Sequence, residues 1–145
     1  MREIDGILFT GEKHYEFFKN SLKKVRDIDE YHIALCYCLG ICDETRTHIK
    51  DIYDFESGFV KPECLHIGWQ TGSSVKVVRM AFNLYCNGMP SVNDEMSIDE
   101  VISESRRYSA EDLFCDPYAP YFWQAIKLRY PEYTSCDNEP LSISY

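Results

Sequence analysis

Asp29-Glu30-Tyr31-His32-Ile33-Ala34-Leu35-Cys36-Tyr37-Cys38-Leu39-Gly40 is the stretch that decides the fold. Asp29 can accept from the free amides of a first helical turn, and Gly40 closes the run. Between them apolar residues occupy every face instead of one stripe. A helix of that kind is surrounded by protein on all sides. It needs other elements to cover it, and the flanking sequence supplies them as helices.

Upstream, Gly6-Ile7-Leu8-Phe9 is a short apolar opening and Thr10 reads as an N-cap. Tyr15, Phe18, Leu22 and Val25 then recur at steps of three, four and three, which is one stripe of a helix of about four turns. Downstream, Asp43 caps a third helix with Ile49, Ile52 and Tyr53 inward, and Glu44 favours its positive end. Residues 54–72, with Gly58, Pro62, Gly68 and Gly72, read as a long ordered loop. Loops of this length in compact domains are functional or packed on themselves. A fourth helix opens at Ser73 or Ser74, turns Val75, Val78, Phe82 and Tyr85 inward, and ends at Asn87-Gly88. Ser97 and Glu100 have capping-box spacing ahead of Ile98, Val101 and Ile102, which are expected to face the core. Ser109 caps a further turn through Leu113. Asp116-Pro117 opens the last main helix, with Tyr118, Phe122, Ala125 and Leu128 inward and Pro131 as its stop. No strand-like alternation persists beyond about four residues. The expected fold is therefore all-α: a compact single-domain bundle of about five main helices over residues 1–133, with one long ordered loop and an irregular tail over 134–145.

The chain has 145 residues, 14% of them aromatic. That is enough for a core built on rings without staples, and it excludes whole-chain disorder. The net charge of −9 argues against direct binding of nucleic acid, whose phosphates need a basic footprint, and in favour of a basic partner. The seven cysteines are an odd number. The acidic start Met1-Arg2-Glu3-Ile4-Asp5 lacks the apolar core of a signal peptide, and no run reaches the ~20 apolar residues of a membrane span. A cytoplasmic protein with free thiols and no membrane association is expected.

Motifs are few. Cys36, Cys38 and Cys42 lie on or beside the central helix, where only Cys38 and Cys42 share a face, and they read as packing thiols with no metal site. His14, His32, His48 and His66 show no metal spacing, and Cys64 with His66 has no orienting third group for nucleophilic catalysis. No catalytic residue and no cofactor is assigned. Gly68-Trp69-Gln70-Thr71-Gly72-Ser73-Ser74 leads small and hydroxyl residues into a helix N-terminus, where an anion can be held. His66, Trp69, Gln70, Thr71, Ser73 and Arg79 are the candidate ligand-binding residues of this region. From Asn93 to Asp116 eight acids face only Arg106 and Arg107. Asp94, Glu95, Asp99, Glu100 and Glu104 are the candidate partner-binding residues of that segment.

Several segments carry a family resemblance. They are Asp5-Gly6-Ile7-Leu8-Phe9 with His14-Tyr15-Glu16-Phe17-Phe18, Tyr31-His32, Leu39-Gly40-Ile41, Thr45-Arg46 and Lys61-Pro62-Glu63. Gly68-Trp69-Gln70-Thr71-Gly72 and Arg79 with Ala81-Phe82-Asn83-Leu84 follow. Tyr118-Ala119-Pro120-Tyr121-Phe122 and Ile126-Lys127-Leu128-Arg129-Tyr130-Pro131-Glu132-Tyr133 complete the set. The chain resembles a family of small proteins of unknown function from gut Clostridia and their relatives, often carried on mobile elements. The resemblance covers Asp5 to Tyr133, and the acidic stretch from Met89 to Arg107 is longer here than the family pattern.

The resemblance implies no activity but a context, in which small acidic proteins of mobile elements inhibit host defences. The expected function is a non-catalytic inhibitor of the anti-CRISPR type. Its partner would be a bacterial defence protein with a basic nucleic-acid channel, such as a Cas9-like nuclease, and it would compete there with nucleic acid. The alternative is a small-ligand protein that binds or sequesters nucleotides, with Trp69 stacked on a base. A second alternative is an enzyme built around His66, Cys64 and Arg79.

Overall fold

In the computed structural model, which describes residues 1–90 and 96–135, the chain opens with β1 (Arg2–Ile4) and β2 (Ile7–Phe9). Four helices follow: α1 (Glu12–Leu22), α2 (Glu30–Leu39), α3 (Asp43–Thr47) and α4 (Ile49–Ile52). Next come β3 (Tyr53–Asp54), β4 (Phe59–Val60) and a 3-10 turn over Pro62–His66. The remainder is α5 (Gly72–Cys86), α6 (Ile98–Arg106), α7 (Ala110–Phe114), α8 (Ala119–Arg129) and α9 (Pro131–Thr134).

The protein is mostly helical, and α2 is its centre. Asp29 caps it by accepting from the His32 amide at 2.9 Å. Every residue from Ala34 to Leu39 is buried, between α5, α8 and α1. Tyr37, Tyr53, Phe9, Phe82 and Phe122 are the largest fully buried side chains. Gly40 follows α2 at φ −85°, an ordinary right-handed value, so it is not there for a left-handed turn. A Cβ at Gly40 would lie 2.7 Å from the His14 ring and 2.9 Å from the Phe17 ring. The glycine lets α1 approach the end of α2.

The mostly helical expectation holds, and two short antiparallel hairpins are added to it. Asp5 and Gly6 both have positive φ, 53° and 80°, and join β1 to β2 with Ile4 paired to Ile7. An Asp-Gly pair is well suited to such a two-residue turn, because both central positions must be left-handed. The unpaired groups of Leu8 in β2 are met by side chains. Gln124 of α8 accepts from its amide at 3.1 Å, and the Tyr37 hydroxyl donates to its carbonyl. The second hairpin, β3–β4, sits inside the expected long loop and turns through Gly58 at φ +77°. Its carbonyl accepts from the Tyr85 hydroxyl at 2.7 Å.

Other boundaries shift for local reasons. The N-cap of α1 is Gly11, not Thr10, and the Thr10 amide donates to the His14 ring. The expected third helix is broken at His48 into α3 and α4. Asp116 accepts from Tyr118, and the helix proper begins at Ala119. Pro131, expected to stop the last main helix, opens α9 instead, and α9 reaches one residue into the irregular tail expected over 134–145. Residues 136–145 of that tail lie outside the described residues. No helix among the described residues is long and apolar enough to cross a membrane.

The largest departure concerns α6. Ser97 caps it as expected, accepting from the Glu100 amide at 3.1 Å. Yet Ile98 is 79% exposed and Ile102 44% exposed, so the expected inward stripe is not buried. What holds α6 to the body is polar. Glu104 receives both Nε and Nη2 of Arg79 from α5, at 2.9 and 3.2 Å.

Candidate functional site

The Thr71 side chain caps α5 by accepting from the Ser74 amide, and Ser74 returns a bond to the Thr71 amide, a full capping box. Helical spacing then places Gly72, Val75 or Lys76, and Arg79 along one face, at successive turns. This face, the segment from Leu65 to Thr71 and the junction of α6 with α7 enclose an open groove of about 540 Å³. Lys76, Arg79, Arg107 and Asp112 line it, with His66 and an apolar wall of Leu65, Ile67 and Val75. A second open depression lies beyond Arg107 and Asp112, toward Arg106, Glu111 and Cys115.

The groove gathers four of the six residues expected to bind a ligand: His66, Gln70, Thr71 and Arg79. Two of them are occupied by the fold. Gln70 donates to the Cys64 carbonyl at 3.0 Å and accepts from Ser74. Thr71 serves as the cap. Trp69 and Ser73 do not line the groove. The Trp69 ring lies parallel on His48, with centroids 4.4 Å apart and planes 6° apart. That face is unavailable to a base, and its buried Nε1 has no partner among the described residues. Ser73 donates to Asp116 at 3.1 Å. Lys76 and Arg107 are the additions that sequence reasoning missed. The spacing of Lys76 and Arg79 on α5 was available as a signal, whereas Arg107 arrives from a distant element.

The acidic set divides as well. Asp99 and Glu100 are exposed on α6. Asp94 and Glu95 lie outside the described residues. Glu104 is not a free surface acid. Its side chain is 13% exposed against a guanidinium that is 8% exposed, and both of its oxygens are engaged.

The thiols follow their burial. Cys36, Cys38, Cys42 and Cys64 are free and buried. Desolvation pushes Cys36 and Cys64 up to about 12 and raises Cys38 and Cys42 as well. A thiol so protonated is a poor nucleophile, which removes the basis for pairing Cys64 with the exposed His66. Four further polar groups form a part-buried chain. Asp29 accepts from the His32 ring at 2.7 Å, the other His32 nitrogen lies 3.4 Å from the Tyr85 hydroxyl, and Tyr53 lies 3.0 Å beyond. The Tyr85 hydroxyl is committed to Gly58, so the chain braces β3–β4 against α2 and α5.

Fold and groove together define a mostly helical protein, braced by two hairpins, with a mixed-charge groove along its α5 helix. The chain belongs to a family of unknown function, DUF6075, whose sequence model matches residues 4–141. No curated protein and no solved structure matches it.

Proposed function

We propose that the protein is a non-catalytic binding protein that docks through α6 on a basic surface of another protein. The partner class is a bacterial defence effector with a nucleic-acid channel, a Cas9-like nuclease being the case to test, and binding there would compete with nucleic acid. One observation supports the reading above the rest. Ile98 and Ile102 stand exposed one turn apart, with Asp99 exposed on their flank and Glu100 exposed toward the side of Glu104, on a helix held from behind by Arg79 and Glu104. Apolar anchors within a charged rim suit a protein interface, and the net charge of −9 favours encounter with a positive partner.

The test is capture of purified effectors by the tagged protein, coupled to a DNA-cleavage assay. Capture of one effector with loss of its cleavage supports the reading. The double variant Asp99→Lys/Glu100→Lys should abolish capture, and raising salt should slow association, since exposed charges are screened over about 8 Å at physiological ionic strength. Capture that is indifferent to both changes would sink it.

A further inference from the structure

A chain of net charge −9 has few cations to spare, and three of them line one groove: Lys76, Arg79 and Arg107. Two carboxylates oppose them, Asp112 in the wall and Glu104 on Arg79. Arg79 is only 7% exposed. Glu104 fills its Nε and Nη2 edge, while Nη1 has no acceptor among the described residues. A guanidinium carries five N–H donors, and those on Nη1 stay open to the solvent of the groove. The unfilled pair in a groove wall is therefore a place for an external acceptor. Lys76 spends one donor on the Cys115 carbonyl at 3.2 Å and keeps two. Arg107 is exposed and makes no ion pair among the described residues.

We propose that this groove binds a phosphate ester of nucleoside-monophosphate size, with the phosphoryl group on Arg79 Nη1, Lys76 and Arg107. The three cations exceed the two local carboxylates, and a phosphoryl group of about −1.5 to −2 charge with three acceptor oxygens matches several donors at once. The positive end of α5 is a lesser contributor, because Ser73 already holds Asp116 there. Leu65, Ile67 and Val75 give the apolar surface for a base, and Asp112 is an acceptor for a sugar hydroxyl. The groove, about 540 Å³, falls within the usual range for small-ligand sites. The site is independent of docking through α6.

The experiment is calorimetric titration and thermal shift with AMP, GMP, CMP and UMP, each against its nucleoside and inorganic phosphate, at up to about 5 mM so that millimolar affinity is seen. At least one monophosphate should bind and raise the melting temperature, with its nucleoside and inorganic phosphate each weaker by about tenfold or more. Lys76→Ala/Arg107→Ala, two accessible positions, should weaken binding by about tenfold or more with the melting temperature of the free protein unchanged. Asp99→Lys/Glu100→Lys should leave it intact, which separates this site from the docking face. No heat and no shift with any monophosphate, a nucleoside binding as tightly as its monophosphate, or undiminished binding by the double alanine variant would each overturn the proposal. Inorganic phosphate binding as tightly as every ester would overturn the nucleotide assignment.

Discussion

At the scale of single residues, the pair of Arg79 and Glu104 is the most consequential contact between α5 and α6. Removing either partner leaves a buried charge without its complement. Glu104→Ala or Arg79→Ala should cost about 3–5 kcal/mol in urea unfolding, whereas Arg79→Met with Glu104→Leu should cost far less. Equal losses for the single and the double variants would show that the charges do not act as a pair. Gly40 is a second such position. Gly40→Ala should destabilise by about 1–3 kcal/mol, because the new methyl meets the His14 and Phe17 rings. A neutral substitution would mean that α1 yields easily. The thiols give a third check. Among the described cysteines Cys115 is exposed and should label at once with a thiol reagent in the native state, while Cys36, Cys38, Cys42 and Cys64 wait for unfolding. Peptide mapping after a short pulse reads this directly, and early labelling of Cys64 would contradict its burial.

At the scale of the element, α6 combines a sound cap with an unburied apolar side. Ser97 and the acids Asp99 and Glu100 in its first turn stabilise the helix locally. Ser97→Ala should therefore cost about 1 kcal/mol or less, as for an exposed cap. Asp99→Lys and Glu100→Lys touch no buried partner, and each should change stability by only about 0.5 kcal/mol apart from the lost dipole interaction. Equilibrium unfolding of the four proteins decides it. A cooperative loss of structure on reversing Asp99 or Glu100 would show that α6 is not the independent presenting element its exposure implies. In α5 the capping box is better buried, and Thr71→Ala should cost more than Ser97→Ala.

At the scale of the whole molecule, the pH dependence of stability is governed in part by His14, which is fully buried between α1 and α2. Its Nδ1 accepts from the Thr10 amide at 3.1 Å and its Nε2 donates to the Tyr37 carbonyl at 2.8 Å, an arrangement that fits the neutral ring. Burial lowers it to about 4, against the hydrogen bond to Tyr37 and with a further push from Arg46. The unfolded ring titrates near 6.5. Between these values the unfolded state binds more protons, so the contribution of His14 is full above about pH 6.5 and is lost as pH falls toward 4. The slope is at most about 1.4 kcal/mol per pH unit. Urea midpoints of the native protein and of His14→Gln, compared from pH 7.5 to 4.5, isolate this term from the other histidines. Parallel curves would exclude His14 as its source.

Some of this was decided by the chain locally. The cap at Asp29, the full apolar circumference of α2, the Ser97 and Ser109 caps and the Asn87-Gly88 ending of α5, with Asn87 at φ 58°, follow from residues a few positions apart. Those features depend on backbone amides and side-chain period, which neighbours along the sequence supply. The Asp5-Gly6 hairpin was legible in the same way, as a turn pair just ahead of the apolar Ile7-Leu8-Phe9, although the expected fold had no strand. Only the tertiary structure decided which acids are free. Glu104 resembles Asp99 and Glu100 in sequence, yet it is 25 residues from the Arg79 that consumes it. The burial of His14, the stacking of Trp69 on His48 and the shared groove of Lys76 and Arg107 are likewise long-range. A side chain's chemistry is written at its own position, but its charge, exposure and free donors are set by whatever the folded chain brings opposite it.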